Sequence, residues 1–212
     1  MKIRFALLLF AIVSVATVSA RQLLAAPNVQ ATGTILVLGD SISAAYGIQR
    51  DAGWVALLER RLATHEPAYH VVNASLSGDT TGGGLARLPK ALEVHAPSIV
   101  VIELGGNDAL RGYPIADIRR NLEKLTSIAQ TSGARVVIAG MQIPPNYGSR
   151  YTQAFHQLFA DVAQARGATL IPFLLDGVAT EERLMQQDGI HPTAEAQPRL
   201  LDNVWPAIAA LI

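Results

Sequence analysis

Thr34-Ile35-Leu36-Val37-Leu38 runs directly into Gly39-Asp40-Ser41. A short apolar run rich in β-branched residues and closed by a glycine reads as a strand buried on both faces, and a strand covered on both faces is the mark of a parallel sheet. The same signal returns at Ser98–Glu103 (SIVVIE) and Arg135–Ala139 (RVVIA), and more weakly at Tyr69–Asn73 and Thr169–Ile171. Between these runs the apolar residues fall at helical spacing: Trp54–Ala63, Leu85–Val94 with Pro89 as a kink or boundary, Ile115–Gln130 with Gly133 behind it, and Thr152–Ala165 ending near Gly167. Ala194–Ile212 reads as mostly helical, bent or interrupted at Pro198 and Pro206.

Strands alternating with helices imply parallel pairing through right-handed crossovers. The expected fold is therefore a three-layer α/β/α domain of about five strands over residues 34–212, with residues 21–33 as a lead-in. In such sheets ligands bind beyond the carboxyl ends of the strands. Four polar or glycine-rich loops follow four strands in order: Gly39-Asp40-Ser41, Asn73–Gly78, Gly105-Gly106-Asn107-Asp108 and Met141–Gly148. All four should meet at one edge of the sheet.

Those loops, with Asp188-Gly189-Ile190-His191, hold the groups that acyl transfer needs: a nucleophile, a base, an orienting carboxylate and donors for an oxyanion. Ser41 after a strand also suits a helix N-cap. As a nucleophile it needs a base, and His191 carries Asp188 three residues earlier, placed to accept from Nδ1 and leave Nε2 facing the serine. Pro192 keeps His191 out of a helix. His65, His70, His95 and His156 have no comparable carboxylate beside them and read as surface or helix-end residues. The backbone N–H groups of Ser41 and Gly78 and the side-chain amide of Asn107 are the oxyanion donors, although Gly78 and Gly-Gly-Asn-Asp are also ordinary turn sequences. Apolar Leu110, Ile143, Pro145 and Tyr147 are the candidate wall for an acyl group. The chain has no G-x-S-x-G elbow, no P-loop ending after Gly82-Gly83-Gly84 and no dinucleotide fingerprint after the first strand. His65–His70 is one residue too long for a helical zinc motif and contains Pro67.

Composition narrows the setting. Half of the 212 residues are hydrophobic, enough for one sizeable core. Lys2 and Arg4, the uncharged run Phe5–Val18 and the small residues Val18-Ser19-Ala20 make residues 1–20 a secretory signal peptide; the apolar run is short for a bilayer span of about 20 residues. Its removal takes two cations and no acid, leaving 15 basic against 17 acidic residues and a net charge of −2. That balance offers nothing to nucleic acid. With no cysteine, disulfides, thiolate metal sites, a cysteine nucleophile and a lipidated cysteine anchor are excluded.

The blocks Ile35–Ala45, Val72–Pro89, Glu103–Gly112, Met141–Tyr151 and Gln187–Pro198 together resemble the SGNH hydrolases, also called the GDSL family, and within it the bacterial thioesterase I / protease I / lysophospholipase L1 group and its arylesterase relatives. The resemblance implies a flavodoxin-like fold and a serine esterase acting on carboxylic esters and thioesters without metal or cofactor. Its triad would be Ser41, Asp188 and His191, and its oxyanion hole Ser41, Gly78 and Asn107. It further implies a mobile substrate loop at Asp108–Tyr113. Met141–Gly148 is shorter than in the thioesterases and closer to the arylesterases, which leaves acyl preference open. Expected partners are small-molecule acyl esters, thioesters or lysophospholipids, with no nucleic acid and no permanent membrane anchor, for a monomer exported to the periplasm. Two other readings stay open: a carbohydrate O-acetylesterase, and a non-catalytic protein that binds lipids or glycans.

Overall fold

A computed structural model of the chain describes residues 33–66 and 68–212. The signal-peptide segment 1–20 and most of the lead-in lie outside the described residues. Five strands, β1 (Gly33–Gly39), β2 (Tyr69–Asn73), β3 (Ile99–Glu103), β4 (Arg135–Ala139) and β5 (Thr169–Ile171), form one sheet in the order β2-β1-β3-β4-β5. Every pairing is parallel. This is the doubly wound order in which the chain reverses direction across the sheet between β1 and β3, leaving a crevice at their carboxyl ends.

Period-two alternation sends neighbouring side chains to opposite faces. Ile35 and Val37 of β1 join Ile99, Val101 and Val137 in one core, closed by helices α1 (Trp54–His65) and α6 (Gln197–Ala209). Leu36, Leu38, Val100, Ile102 and Ile138 face the other way, against α2 (Thr81–His95), α4 (Ile115–Thr131) and α5 (Ser149–Arg166). Three layers result, and β1 and β3 are buried on both faces, as their unbroken apolar runs require. A short helix, α3 (Gly106–Leu110), follows β3 directly.

Most elements fall where the sequence places them. The exception is α2, which starts four residues before the predicted Leu85 and runs straight through Pro89. Three glycines and an interior proline would cost several kcal/mol in an isolated helix, about 1 for each glycine and about 3 for proline. Local contacts offset this. The Thr80 side chain accepts from Gly83 N–H as a cap, and Thr81 bonds twice to Asp108. Gly84 lies so close to Leu104 that a Cβ there would strike its methyl group. At the other end of the chain, Pro198 sits in the first turn of α6, where a proline is tolerated, and Pro206 lies inside the helix.

Candidate active site

β1 ends at Gly39, and residues 41–48 fold into consecutive turns. Asp40, not Ser41, does the capping: its Oδ1 accepts from Ile42 N–H at 3.0 Å and its carbonyl from Ala44 N–H at 2.9 Å. The Ser41 hydroxyl is thereby free of local bonding. It lies 2.8 Å from His191 Nε2. Gly39 is required by what packs on it, since a Cβ there would lie 2.6 Å from Glu103 Oε2 and 2.8 Å from Ser43 Cβ. The space above Gly39 is taken by the side chains of Glu103 and Ser43.

His191 arrives on a loop after β5 that folds back toward β1. Its Nδ1 is 2.6 Å from Asp188 Oδ2. Asp188 Oδ1 also accepts the N–H groups of Ile190 and His191, at 2.9 and 3.0 Å, so the carboxylate is fixed by the same loop it orients. Partial burial raises the Asp188 pKa, but the bonds from the His191 backbone and ring and from Ile190 N–H outweigh it and hold the group down to about 2. Gly189, at a φ of +66°, lets the chain turn between the two side chains. The ring of Tyr46 lies 4.5 Å from that of His191, centroid to centroid, and tilted by 40°.

The three oxyanion candidates occupy three strand-end loops. Asn107, on α3, uses one amide hydrogen on Asp40 Oδ2 at 3.0 Å, and the amide's second hydrogen is left over. Asp40 is 3% exposed and Glu103 fully buried. Burial pushes the Asp40 pKa up to about 6, against the pull of Ile42 N–H, the Asn107 amide, the His191 charge and Glu103. Burial first, and then the Asp40 charge, push Glu103 well above the carboxylate range. Glu103 Oε2 accepts from Ser43 Oγ at 2.6 Å and from Asp40 N–H at 3.1 Å. Gly78 sits at a φ of +80°, with Arg111 Nη2 3.9 Å from where a Cβ would be, and its carbonyl accepts from Arg111 at 3.0 Å.

A cavity of about 500 Å³ opens beside Ser41 and His191. Leu110, Ile143 and Pro145 line it as the sequence predicts. Gly78 and Tyr147 are not among its lining residues. The Tyr147 hydroxyl instead donates to Leu110 carbonyl at 3.1 Å, and its ring borders a separate depression with Ile115 and Tyr151. Phe173, Leu174, Leu175, Ala179 and Met185 supply a further wall that sequence reading misses, because they lie in an irregular stretch after the shortest strand. Among the described residues no cluster of three or more histidine, aspartate or glutamate side chains is arranged to hold a metal ion.

Residues 37–198 match the model of the GDSL-like lipase/acylhydrolase family. The chain belongs to that family. Esterase TesA of Pseudomonas aeruginosa is 53% identical over 182 residues, covering 86% of this chain and 90% of TesA. The thioesterase 1/protease 1/lysophospholipase L1 of Escherichia coli K12 is 40% identical over 177 residues, covering 84% of this chain and 83% of that one. Among solved structures, the psychrotrophic esterase EstA of Pseudoalteromonas, inhibited by monoethylphosphonate, superposes with a TM-score of 0.78 at 41% identity, covering 84% of this chain and 97% of EstA. The chain is accordingly an ester-hydrolysing enzyme of the GDSL-like type.

Two further features of this acylhydrolase organise the loops around Ser41. Asp108, nearly fully buried, accepts from Thr81 N–H at 2.9 Å and from its hydroxyl at 2.6 Å, which fastens the Asn107 helix to the start of α2. Arg87 of α2 donates to Asp79 at 2.7 Å, to Gly39 carbonyl at 3.2 Å and to Ala74 carbonyl. The aspartate of Gly-Gly-Asn-Asp is thus a fastener between elements, and the serine loop, the glycine loop and the asparagine helix are bound to one another through α2.

Proposed function

We propose that this GDSL-family enzyme hydrolyses carboxylic esters and thioesters through an acyl-enzyme on Ser41, with His191 as general base and acid and Asp188 as its orienting partner. The observation that carries the reading is the unbroken line Asp188 Oδ2, His191 Nδ1, His191 Nε2, Ser41 Oγ, with contacts of 2.6 and 2.8 Å at its two ends. His191 Nε2 takes the Ser41 proton as Oγ attacks the acyl carbon and the carbonyl π pair moves onto oxygen. The N–H groups of Ser41 and Gly78 and the free hydrogen of Asn107 receive that oxyanion. Its collapse expels the alcohol or thiol, which takes the proton from His191. Water attacks the acyl-enzyme by the same route, giving the acid and restoring Ser41. No step calls for a metal or cofactor.

Leu110, Ile143 and Pro145 on one side and Phe173, Leu175 and Met185 on the other make an apolar enclosure larger than an acetyl group fills. This favours esters of longer acids, lysophospholipids among them, over acetylated sugars. The enzyme acts as a monomer outside the cytoplasm after loss of residues 1–20, a setting in which lysophospholipids and other esters are more accessible than acyl-CoA.

Purified Ser41→Ala should lose several orders of magnitude in p-nitrophenyl ester hydrolysis with its circular dichroism spectrum unchanged. Near-normal turnover in that variant would sink the assignment. A fluorophosphonate probe should label the parent enzyme and not the variant, which separates an enzyme from a binding protein. A panel of p-nitrophenyl acetate, longer acyl esters, acyl-CoA, lysophosphatidylcholine and acetylated sugars ranks the substrates.

A further inference from the structure

The catalytic serine and histidine come from segments far apart in the chain, and one side chain joins their backbones. Gln186 Nε2 donates to Tyr46 carbonyl at 2.8 Å, across 140 residues, and to Pro192 carbonyl at 3.0 Å. Its own backbone N–H donates to His191 carbonyl at 2.8 Å, and its carbonyl accepts from Gly189 at 2.9 Å. On the far side, Tyr46 N–H donates to Ser41 carbonyl at 3.0 Å. A continuous relay of hydrogen bonds therefore runs from the Ser41 backbone through Tyr46 and Gln186 to the His191 backbone. Among the described residues, the only other hydrogen bond between segments 40–48 and 185–193 is the one from Ser41 to His191. Gly47, at a φ of +74°, lies against Gln186 Oε1 so closely that a Cβ would overlap it.

We infer that Gln186 is a positioning residue that fixes the Ser41–His191 distance by clasping the histidine loop to the serine turn through Tyr46. Asp188 sets the rotation of the imidazole; Gln186 sets where the ring stands. The clasp needs two N–H donors aimed at two carbonyl oxygens, which among neutral side chains of this length only an amide supplies. Proton transfer between Ser41 and His191 is sensitive to this, because a misplacement of about 1 Å between reacting groups costs about a hundredfold in rate. The inference rests on the catalytic roles proposed above for Ser41 and His191.

The test compares Gln186→Glu, which keeps the shape and removes both donors, with Gln186→Met and with Gly47→Ala, which touches neither catalytic side chain. Each is measured for kcat and KM on p-nitrophenyl butyrate and for thermal midpoint, alone and in a His191→Ala background. The clasp predicts that kcat falls about 10- to 100-fold with KM within about twofold, and that no further loss appears once His191 is gone, because groups acting as a unit are not additive. A kcat within about twofold of the parent, or the same fractional loss in the His191→Ala background, overturns it. If the Gln186 variants fail to fold, Gly47→Ala decides alone by the same criteria. Ser41→Ala, run alongside, separates the two levels: an active Ser41→Ala removes the catalytic assignment itself, whereas an inactive one with normal Gln186 variants removes only the clasp.

Discussion

Asp40 and Glu103 are carboxyl groups almost out of reach of water, stacked directly behind the serine turn, and neither carries the proposed chemistry. Their role is to hold donors: Asp40 orients the Asn107 amide and caps the turn, while Glu103 receives Asp40 N–H and Ser43. The arrangement has a pH signature. The folded protein binds a proton at Asp40 more tightly than the unfolded chain does, so this contribution to stability is fully present below about pH 3.8 and lost as pH rises through about 6. Glu103 acts in the same direction. Thermal midpoints measured at steps from about pH 4 to 6.5 should show a decline that flattens in Asp40→Asn. Asp188 works the opposite way, with its contribution present above the ordinary carboxylate value and lost as pH falls through about 2; at 40% exposure it is screened and its effect is small. With Asn107 as a proposed oxyanion donor, Asn107→Ala should lower kcat by about 10²–10³ with little change in KM, since such a donor acts on charge that exists only in the transition state. An equal rise in KM would show that Asn107 binds ground-state substrate instead. The contact line Asp188, His191, Ser41 joins residues that the sequence offers as single letters in short motifs, and Asn107 stands in another such motif. Asp40 stood in the motif of Ser41 without a visible role, because its use depends on a partner 67 residues away.

Helix α2 shows what local sequence can and cannot specify at the level of an element. Strands β2, β4 and β5 begin and end where the sequence places them, including β2 and β5 at the two edges of the sheet, because a strand's own short run of apolar and β-branched side chains marks its limits. The start of α2 was not legible, since Thr81-Gly82-Gly83-Gly84 is poor helix by propensity and becomes helix only through Thr80, Asp108 and Leu104. This gives a test with competing signs. Gly84→Ala gains about 1 kcal/mol of helix propensity but forces a methyl group onto Leu104, and overpacking of that kind costs about 1–3 kcal/mol. Net destabilisation in urea unfolding is expected, and a gain in stability would mean that the Leu104 contact yields freely. Activity should fall with it, because α2 also carries Arg87 and Thr81, which hold the loops at the active site.

On the scale of the molecule, the cavity crosses the carboxyl edge of the sheet and takes walls from both cores: Ile143 from the side of α2, α4 and α5, and Phe173, Leu175 and Met185 from the side of α1 and α6. Bulk added to one wall should therefore shorten the acyl chain accepted. Leu175→Trp and Ile143→Trp should each cut kcat/KM for a decanoyl p-nitrophenyl ester about tenfold or more and spare the acetyl ester, and the variant with the larger effect marks the wall along which the acyl chain runs. Equal loss for both esters would indicate damage to the catalytic groups rather than to the groove. The fold class and the edge that bears the site were legible from strand spacing alone. The second wall was not, because residues 173–185 have no periodicity and acquire a role only when the chain returns to β1.

Ser41 and His191 stand 150 residues apart, one at the end of the first strand and the other beyond the last. A ribosome that has made every strand of the sheet has still not made the proposed base. Nascent, truncated or half-folded copies would hold a serine with nothing to activate it, so hydrolytic power arrives in a single late event. Covalent labelling of Ser41 by a phosphonate would then count finished molecules, serving as a built-in gauge of how much of a population has completed its fold.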